Sequence, residues 1–239
     1  MGSRKRMNQS FVSIDLETTG LNPKRDRIIE IGAVKVIDGK EAAVFHRLVN
    51  PGRDLEERVT ELTGITNEEL VGAPYIEDVL PELTDFLGDA ILLGHNVIFD
   101  YSFLKKAYVD QKMEFKRSGV DTLKLARRFM PELEHKTLGA MCEHFQIPLK
   151  AHRALADSYG ALAVYEKLIE LFYAKEPETF EPKELIYQVK RDTPATIRQK
   201  ERLRGLIEQK NVQFKMDIER LTRSEASRFI DKILAGDVQ

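Results

Sequence analysis

Between residues 10 and 49 the chain carries three β-rich runs in close succession, and Asp38-Gly39 separates the second from the third. That dipeptide is a strong hairpin signal, because both of its residues tolerate the positive φ of a type I′ turn. Residues 10–17 (SFVSIDLE), 28–37 (IIEIGAVKVI) and 42–49 (AAVFHRLV) are therefore expected as an antiparallel meander. The period then changes. Apolar residues at 76, 79, 80, 83, 86 and 87 form a helical stripe over 75–87. AILLG (90–94) reads as a short buried strand, and helices are expected over 99–113, 121–130, 137–145 and 153–173. A meander followed by helices around at least one buried strand implies an α/β fold with a mixed sheet flanked by helices.

The chain has 239 residues against a single-domain prior of roughly 150, so a small second unit is expected. The composition shifts over 174–193, which is charged, holds two Pro and lacks Gly. The expected division is a main domain at 10–174, a linker at 175–193 with a short helix at 183–189, and a small basic helical module at 194–236. Thr193 is the expected N-cap of that module, with Pro194 at the first helical position, and Thr222-x-x-Glu225 reads as a capping box. A net charge of −2 excludes a bulk polyanion binder. Residues 191–239 nevertheless hold 11 basic and 8 acidic side chains, a local excess of +3 in which Arg198, Lys200, Arg202 and Arg204 are the candidate phosphate contacts. The single Cys142 excludes an intramolecular disulfide framework and fits a reducing, cytoplasmic setting. No apolar run reaches the 18 residues of a membrane span. The first residues lack the apolar core of a secretory leader, and Met7 is a candidate natural initiator.

Three segments carry the chemistry. Asp15 and Glu17 stand two apart in a strand, so both carboxylates share a face while Ile14 and Leu16 turn to the core. Two such acids repel unless a cation lies between them, and hard oxygen donors suit Mg²⁺ or Mn²⁺. His95-Asn96-Val97-Ile98-Phe99-Asp100 follows directly on the buried strand, at the strand end where α/β sheets bind ligands. His152 precedes Asp157 at the start of a long helix rich in small residues, Ala154, Ala156, Gly160 and Ala161. These would let Asp157 press close to the sheet face that bears Asp15 and Glu17. Each segment alone also reads as ordinary: an exposed acidic pair, a helix-dipole Asp, a surface His. Jointly, four acids and a histidine are what two-metal phosphoryl transfer uses, with cations about 3.5–4 Å apart clamping the attacking and leaving oxygens. A glycosidase reading of the carboxylates leaves His152 unexplained.

In order along the chain, the string Asp15-Leu16-Glu17-Thr18-Thr19-Gly20-Leu21, then His95-Asn96-x-x-Phe99-Asp100, then His152-x4-Asp157 resembles the DEDDh family of 3′→5′ exonucleases. Leu62-Thr63-Gly64-Ile65-Thr66 is similar to that family's L-T-G-I-T segment, and the resemblance runs from about residue 10 to 173. The pattern is similar to that of the proofreading subunit of bacterial DNA polymerase III and the exonuclease domain of the Gram-positive replicative polymerase. The resemblance implies a ribonuclease H-like fold with a five-stranded mixed sheet. It implies two Mg²⁺ or Mn²⁺ ions held by Asp15, Glu17, Asp100 and Asp157, and His152 as the base that deprotonates water. It implies that Leu16, Thr18, Thr19, Ile65, His95, Asn96 and Phe99 seat the 3′-terminal nucleotide and that the product is a nucleoside 5′-monophosphate. The substrate is expected to be single-stranded 3′ ends, DNA preferred. An RNA-trimming exoribonuclease and a silent nucleic-acid-binding module are the alternatives. No clamp-binding motif follows the domain. Leu221-Thr222-Arg223-Ser224-Glu225-Ala226-Ser227 instead resembles a small appended helical module, for which holding nucleic acid, binding a polymerase or other protein partner, and serving as a packing or oligomerisation appendage are the alternatives.

Overall fold

The computed structural model describes residues 10–149 and 152–236. The N-terminal reading, including Met7, and Ala151 of the third segment lie outside the described residues. The meander is present as β1 (Phe11–Thr18), β2 (Ile28–Ile37) and β3 (Lys40–Leu48). Asp38 and Gly39 take φ of 52° and 72°, so the hairpin has positive φ at both central residues, as a type I′ turn demands. Two short helices follow, α1 (Glu57–Thr63) and α2 (Asn67–Val71), then α3 (Ile76–Leu87), β4 (Ile91–Gly94) and α4 (Ile98–Asp110). The domain continues with β5 (Ser118–Asp121), α5 (Thr122–Phe129), α6 (Leu138–His144) and α7 (Ala154–Phe172).

The sheet has six strands rather than the expected five, in the order β3-β2-β1-β4-β5-β6. The meander pairs antiparallel, β1–β4 and β4–β5 run parallel, and the sixth strand, β6 (Lys183–Glu184), pairs antiparallel with β5. Alternation along β1 divides the core. Val12, Ile14 and Leu16 face a cluster with Leu80, Leu83, Tyr101 and Leu104 of α3 and α4. On the other face α7 crosses β1 and β2, and the Ser13 hydroxyl donates to the Ser158 carbonyl at 2.7 Å.

The 174–193 segment does not behave as a free linker. Instead of a helix at 183–189 it forms a 3₁₀ turn, Pro177–Phe180, and then β6. Phe180 is fully buried and its ring lies 5.4 Å from that of Phe129, while Leu185 enters the other core cluster. The reason is the bare edge of β5: Gly119 leaves room that Leu185 fills, and the Leu185 N–H donates to the Arg117 carbonyl at 2.9 Å.

The tail folds around α8 (Ile197–Lys210) and α9 (Arg223–Ala235), with a core of Leu203, Leu221, Ala226, Ile230 and Ile233. The N-cap of α8 is Thr196, whose hydroxyl and partner Gln199 complete a capping box, rather than Thr193. Pro194 instead bridges to Thr222, so the chain enters α8 three residues later than expected. The Thr222–Glu225 capping box is present as read. Glu225 also takes Arg27 at 2.5 Å, the Arg220 guanidinium sits over the Tyr75 ring at 3.2 Å, and the Asp217 N–H donates to the Gly52 carbonyl at 3.1 Å. The module is thus seated on the loops beside β1 and β2. Among the described residues no helix is long and apolar enough to cross a membrane.

Candidate active site

Strand pairing puts Asp15 opposite Gly32 and Glu17 opposite Glu30. Gly32 is decisive for the site. A Cβ there would overlap the backbone of Ala154 and Leu155, so only glycine lets the first turn of α7 lie directly on the sheet. Of the small residues of α7, Ala154 lies at this contact, whereas Gly160 faces Leu149 and Cys142. With the helix this low, Asp157 reaches the face of Asp15 and Glu17. Glu17, His152 and Asp157 each bring a ligand atom within 4.8 Å of the others. Asp100 comes from the opposite face at the start of α4 and accepts the Leu16 N–H at 3.0 Å.

The carboxyls repel one another. Burial, then the negative charge of Asp100, Asp157, Glu17 and Glu30, raises Asp15 well above its ordinary value. Burial, then Asp157 and Glu30, pushes Glu17 up to about 7, against the pull of Arg153. Asp100 is raised by burial, with Asp121 and Glu17 adding to it, although the Leu16 amide opposes the shift. Burial also raises Asp157, against the His152 N–H that donates to its Oδ2 at 2.9 Å. Its other oxygen, Oδ1, is buried with no hydrogen-bond partner. A buried anion with an orphaned oxygen, beside three further strained carboxyls, fits a hard divalent cation.

The proposed nucleotide-seating residues divide. Asn96 is exposed, at φ 71°, and its N–H donates to Asp121 Oδ1 at 3.0 Å. The Leu16 amide is already taken by Asp100, and the Thr18 hydroxyl donates to the Gly20 carbonyl. Thr19 is buried and accepts from the Arg27 amide and the Arg53 guanidinium. Ile65 is fully buried in a cluster with Ile29, Val59 and Leu70, whereas Leu62 beside it is 57% exposed. His95 bridges the Thr122 hydroxyl and the Lys136 carbonyl, and burial lowers its pKa, so the neutral ring is occupied on both sides. Phe99 packs partly buried, 5.0 Å from the Phe103 ring. A cleft of about 370 Å³ between body and module, lined by Arg27, Arg53, Lys106 and Arg220 among others, contains none of the four carboxylates.

Three residues of the site were not singled out from the sequence. Gly32 carried a signal, as an isolated glycine within a strand. Asp121 looked like the start of a helix; it caps α5 and holds the Asn96 amide with the same oxygen. Glu30 is an acid inside an apolar run and is 0% exposed.

A family profile described as Exonuclease matches residues 12–165. The DNA polymerase III subunit epsilon of Aquifex aeolicus is 40% identical over 172 residues, covering 71% of this chain and 85% of that protein. The PolC-type DNA polymerase III of Clostridium perfringens is 38% identical over 162 residues, covering 68% of this chain and 11% of that protein. The chain therefore spans only about a tenth of the length of the PolC-type relatives. Among solved structures, exonuclease X in complex with 5′ overhanging duplex DNA superposes with a TM-score of 0.56 at 27% identity, covering 72% of this chain and 96% of that one.

Proposed function

The chain belongs to the exonuclease family, and from that premise we propose that it removes nucleotides from single-stranded 3′ ends, DNA preferred, as nucleoside 5′-monophosphates. Asp15, Glu17, Asp100 and Asp157 are the residues that would hold two divalent cations, Mg²⁺ or Mn²⁺. Once bound, such cations supply positive charge for the attacking and leaving oxygens of the phosphodiester. His152 is exposed at the rim of the carboxylate cluster, where a ring nitrogen can take the proton of the attacking water. The exposed Asn96 and Leu62 offer a polar and an apolar contact for the terminal nucleotide. Asp100 orients the β1 backbone through the Leu16 amide.

The observation that carries this reading is the set of four mutually repelling carboxyls with one buried oxygen unpartnered. The preference for DNA is supported by the relatives, which are named as DNA polymerase III components. The seated module is the proposed contact for a polymerase or other protein partner, and the buried thiol of Cys142 fits a cytoplasmic setting. The test is a 3′-labelled single-stranded DNA and its RNA counterpart with Mg²⁺, Mn²⁺ or EDTA. Mononucleotide release from DNA with either metal and none in EDTA is expected. Full activity in EDTA would overturn the metal site, and faster release from RNA would reverse the substrate preference.

A further inference from the structure

We propose that Glu30 is a positioning residue for this reaction: from the middle of β2 it fixes the strained turn that presents His152. The inference rests on the exonuclease reading above. Glu30 is fully buried, and a buried carboxylate persists only when it is paired and hydrogen-bonded. Its donors are specific. Arg153 gives Nε to Oε1 at 3.0 Å and Nη2 to the same oxygen at 2.8 Å, and its Nε also lies 3.3 Å from Oε2. The Ala154 amide donates to Oε2 at 2.9 Å, and the His46 ring lies 2.7 Å from Oε1. Burial alone would raise this carboxyl; Arg153, His46 and the Ala154 amide hold it below its ordinary value, so it stays ionised.

These bonds fasten the two residues directly after His152. His152 itself has φ of 67°, a conformation a residue with a Cβ seldom adopts unless its surroundings impose it. On its N-terminal side the turn is held by the His152 N–H on Asp157 Oδ2. Beyond His152 it is held by Glu30. Helix α7 has no side-chain cap of its own, and Glu30 supplies the acceptor for its first amide from 124 residues away in the chain. A local Ser or Asp would cap a helix as well. What the distant charge adds is a two-point grip on Arg153, which sets the direction in which His152 leaves the sheet.

The test is a double-mutant cycle with the Mg²⁺-loaded full chain on labelled single-stranded DNA. Glu30→Gln keeps the shape and loses the charge. Arg153→Gln removes the grip from a side chain that is 37% exposed, so it carries the test should Glu30→Gln fail to fold. Each is expected to lower kcat by about 10²-fold, the size of effect that misplacing a reacting group by about 1 Å produces. KM should stay within about twofold, since neither group is placed against the strand. In a His152→Ala background the same substitutions should cost less than about threefold, because the group they position is gone. The same fold-loss in both backgrounds, or an unchanged kcat for both variants, would overturn the assignment. A parent inactive on both DNA and RNA would instead overturn the exonuclease reading, and the positioning role with it.

Discussion

Asp157 holds one oxygen against a backbone amide and leaves the other buried without a partner, while Glu17 beside it is pushed up to about 7. The pH dependence follows from the sign of that shift. Between the ordinary value of 4.5 and about 7 the folded chain keeps a proton on Glu17 that the unfolded chain has released. Stability contributed by this group therefore falls as pH rises through that window and stays low above it. Glu30, shifted the other way, loses its contribution only below its ordinary 4.5, outside the range, and His95, lowered from 6.5 by burial, is one group opposed to the several raised carboxyls within it. In EDTA the melting temperature is expected to be higher at pH 5 than at pH 8. Added Mg²⁺ should raise it more at pH 8, by binding the ionised carboxyls of the folded state. Calorimetry in both buffers checks this, and a metal-free protein more stable at pH 8 would contradict it. His152→Ala is expected to lower kcat by about 10²–10⁴-fold, the usual range for a general base. Mn²⁺ binding, followed by titration calorimetry, should persist in that variant, and parent-like turnover would make His152 a bystander.

At the level of elements, the contact that assembles the site is α7 on β2 through Gly32. Gly32→Ala puts a methyl group into the backbone of Ala154 and Leu155, which cannot swing aside as a side chain would. A loss of at least about 1–3 kcal/mol in urea unfolding is expected, with nuclease activity falling further as Asp157 lifts away from Asp15. Unchanged stability would mean that the helix tolerates a higher seat. The meander was legible because the hairpin dipeptide and the runs around it agree, and the α3 stripe was legible from its period. β5 was not: Ser118-Gly-Val-Asp121 is four residues long and runs straight into α5, so Asp121 reads as the start of the helix and 118–120 show too little alternation to read as a strand. β6 has two residues, too few for any alternation, and exists because a sheet edge awaits it. The four acids proposed to hold metal were legible as motifs. Glu30 was not, because an isolated acid in a strand looks the same on paper whether it faces water or an arginine. Ile65 and Thr19 show the converse, motif residues whose side chains are used up inside the fold.

At the scale of the whole molecule, the tail is one unit with its own core, yet the segment before it belongs to the nuclease sheet. A chain ending at Thr193 is expected to remain an active nuclease, because Phe180, Leu185 and β6 are kept. Its salt dependence should become shallower if the module holds the strand. Of the four candidate phosphate contacts, Lys200 and Arg204 are already engaged by Glu219, which leaves Arg198 and Arg202, both exposed. A chain ending at Lys175 loses Phe180 from beneath Phe129 and should be destabilised by about 3–5 kcal/mol, the cost of a large aromatic removed from a core. Thermal melts and nuclease assays of the two truncations separate these outcomes, and equal stability would show that β6 is dispensable. One further consequence lies in time. The Ser13 hydroxyl meets Ser158 across 145 residues of sequence, so the first carboxylates of the cleft wait for the last. At a synthesis rate of about 5–20 residues per second, roughly 7 to 30 seconds separate the emergence of β1 from that of α7. For that interval the nascent chain carries Asp15 and Glu17 without the helix that brings Asp157 to them, so the cleft cannot assemble before α7 has emerged.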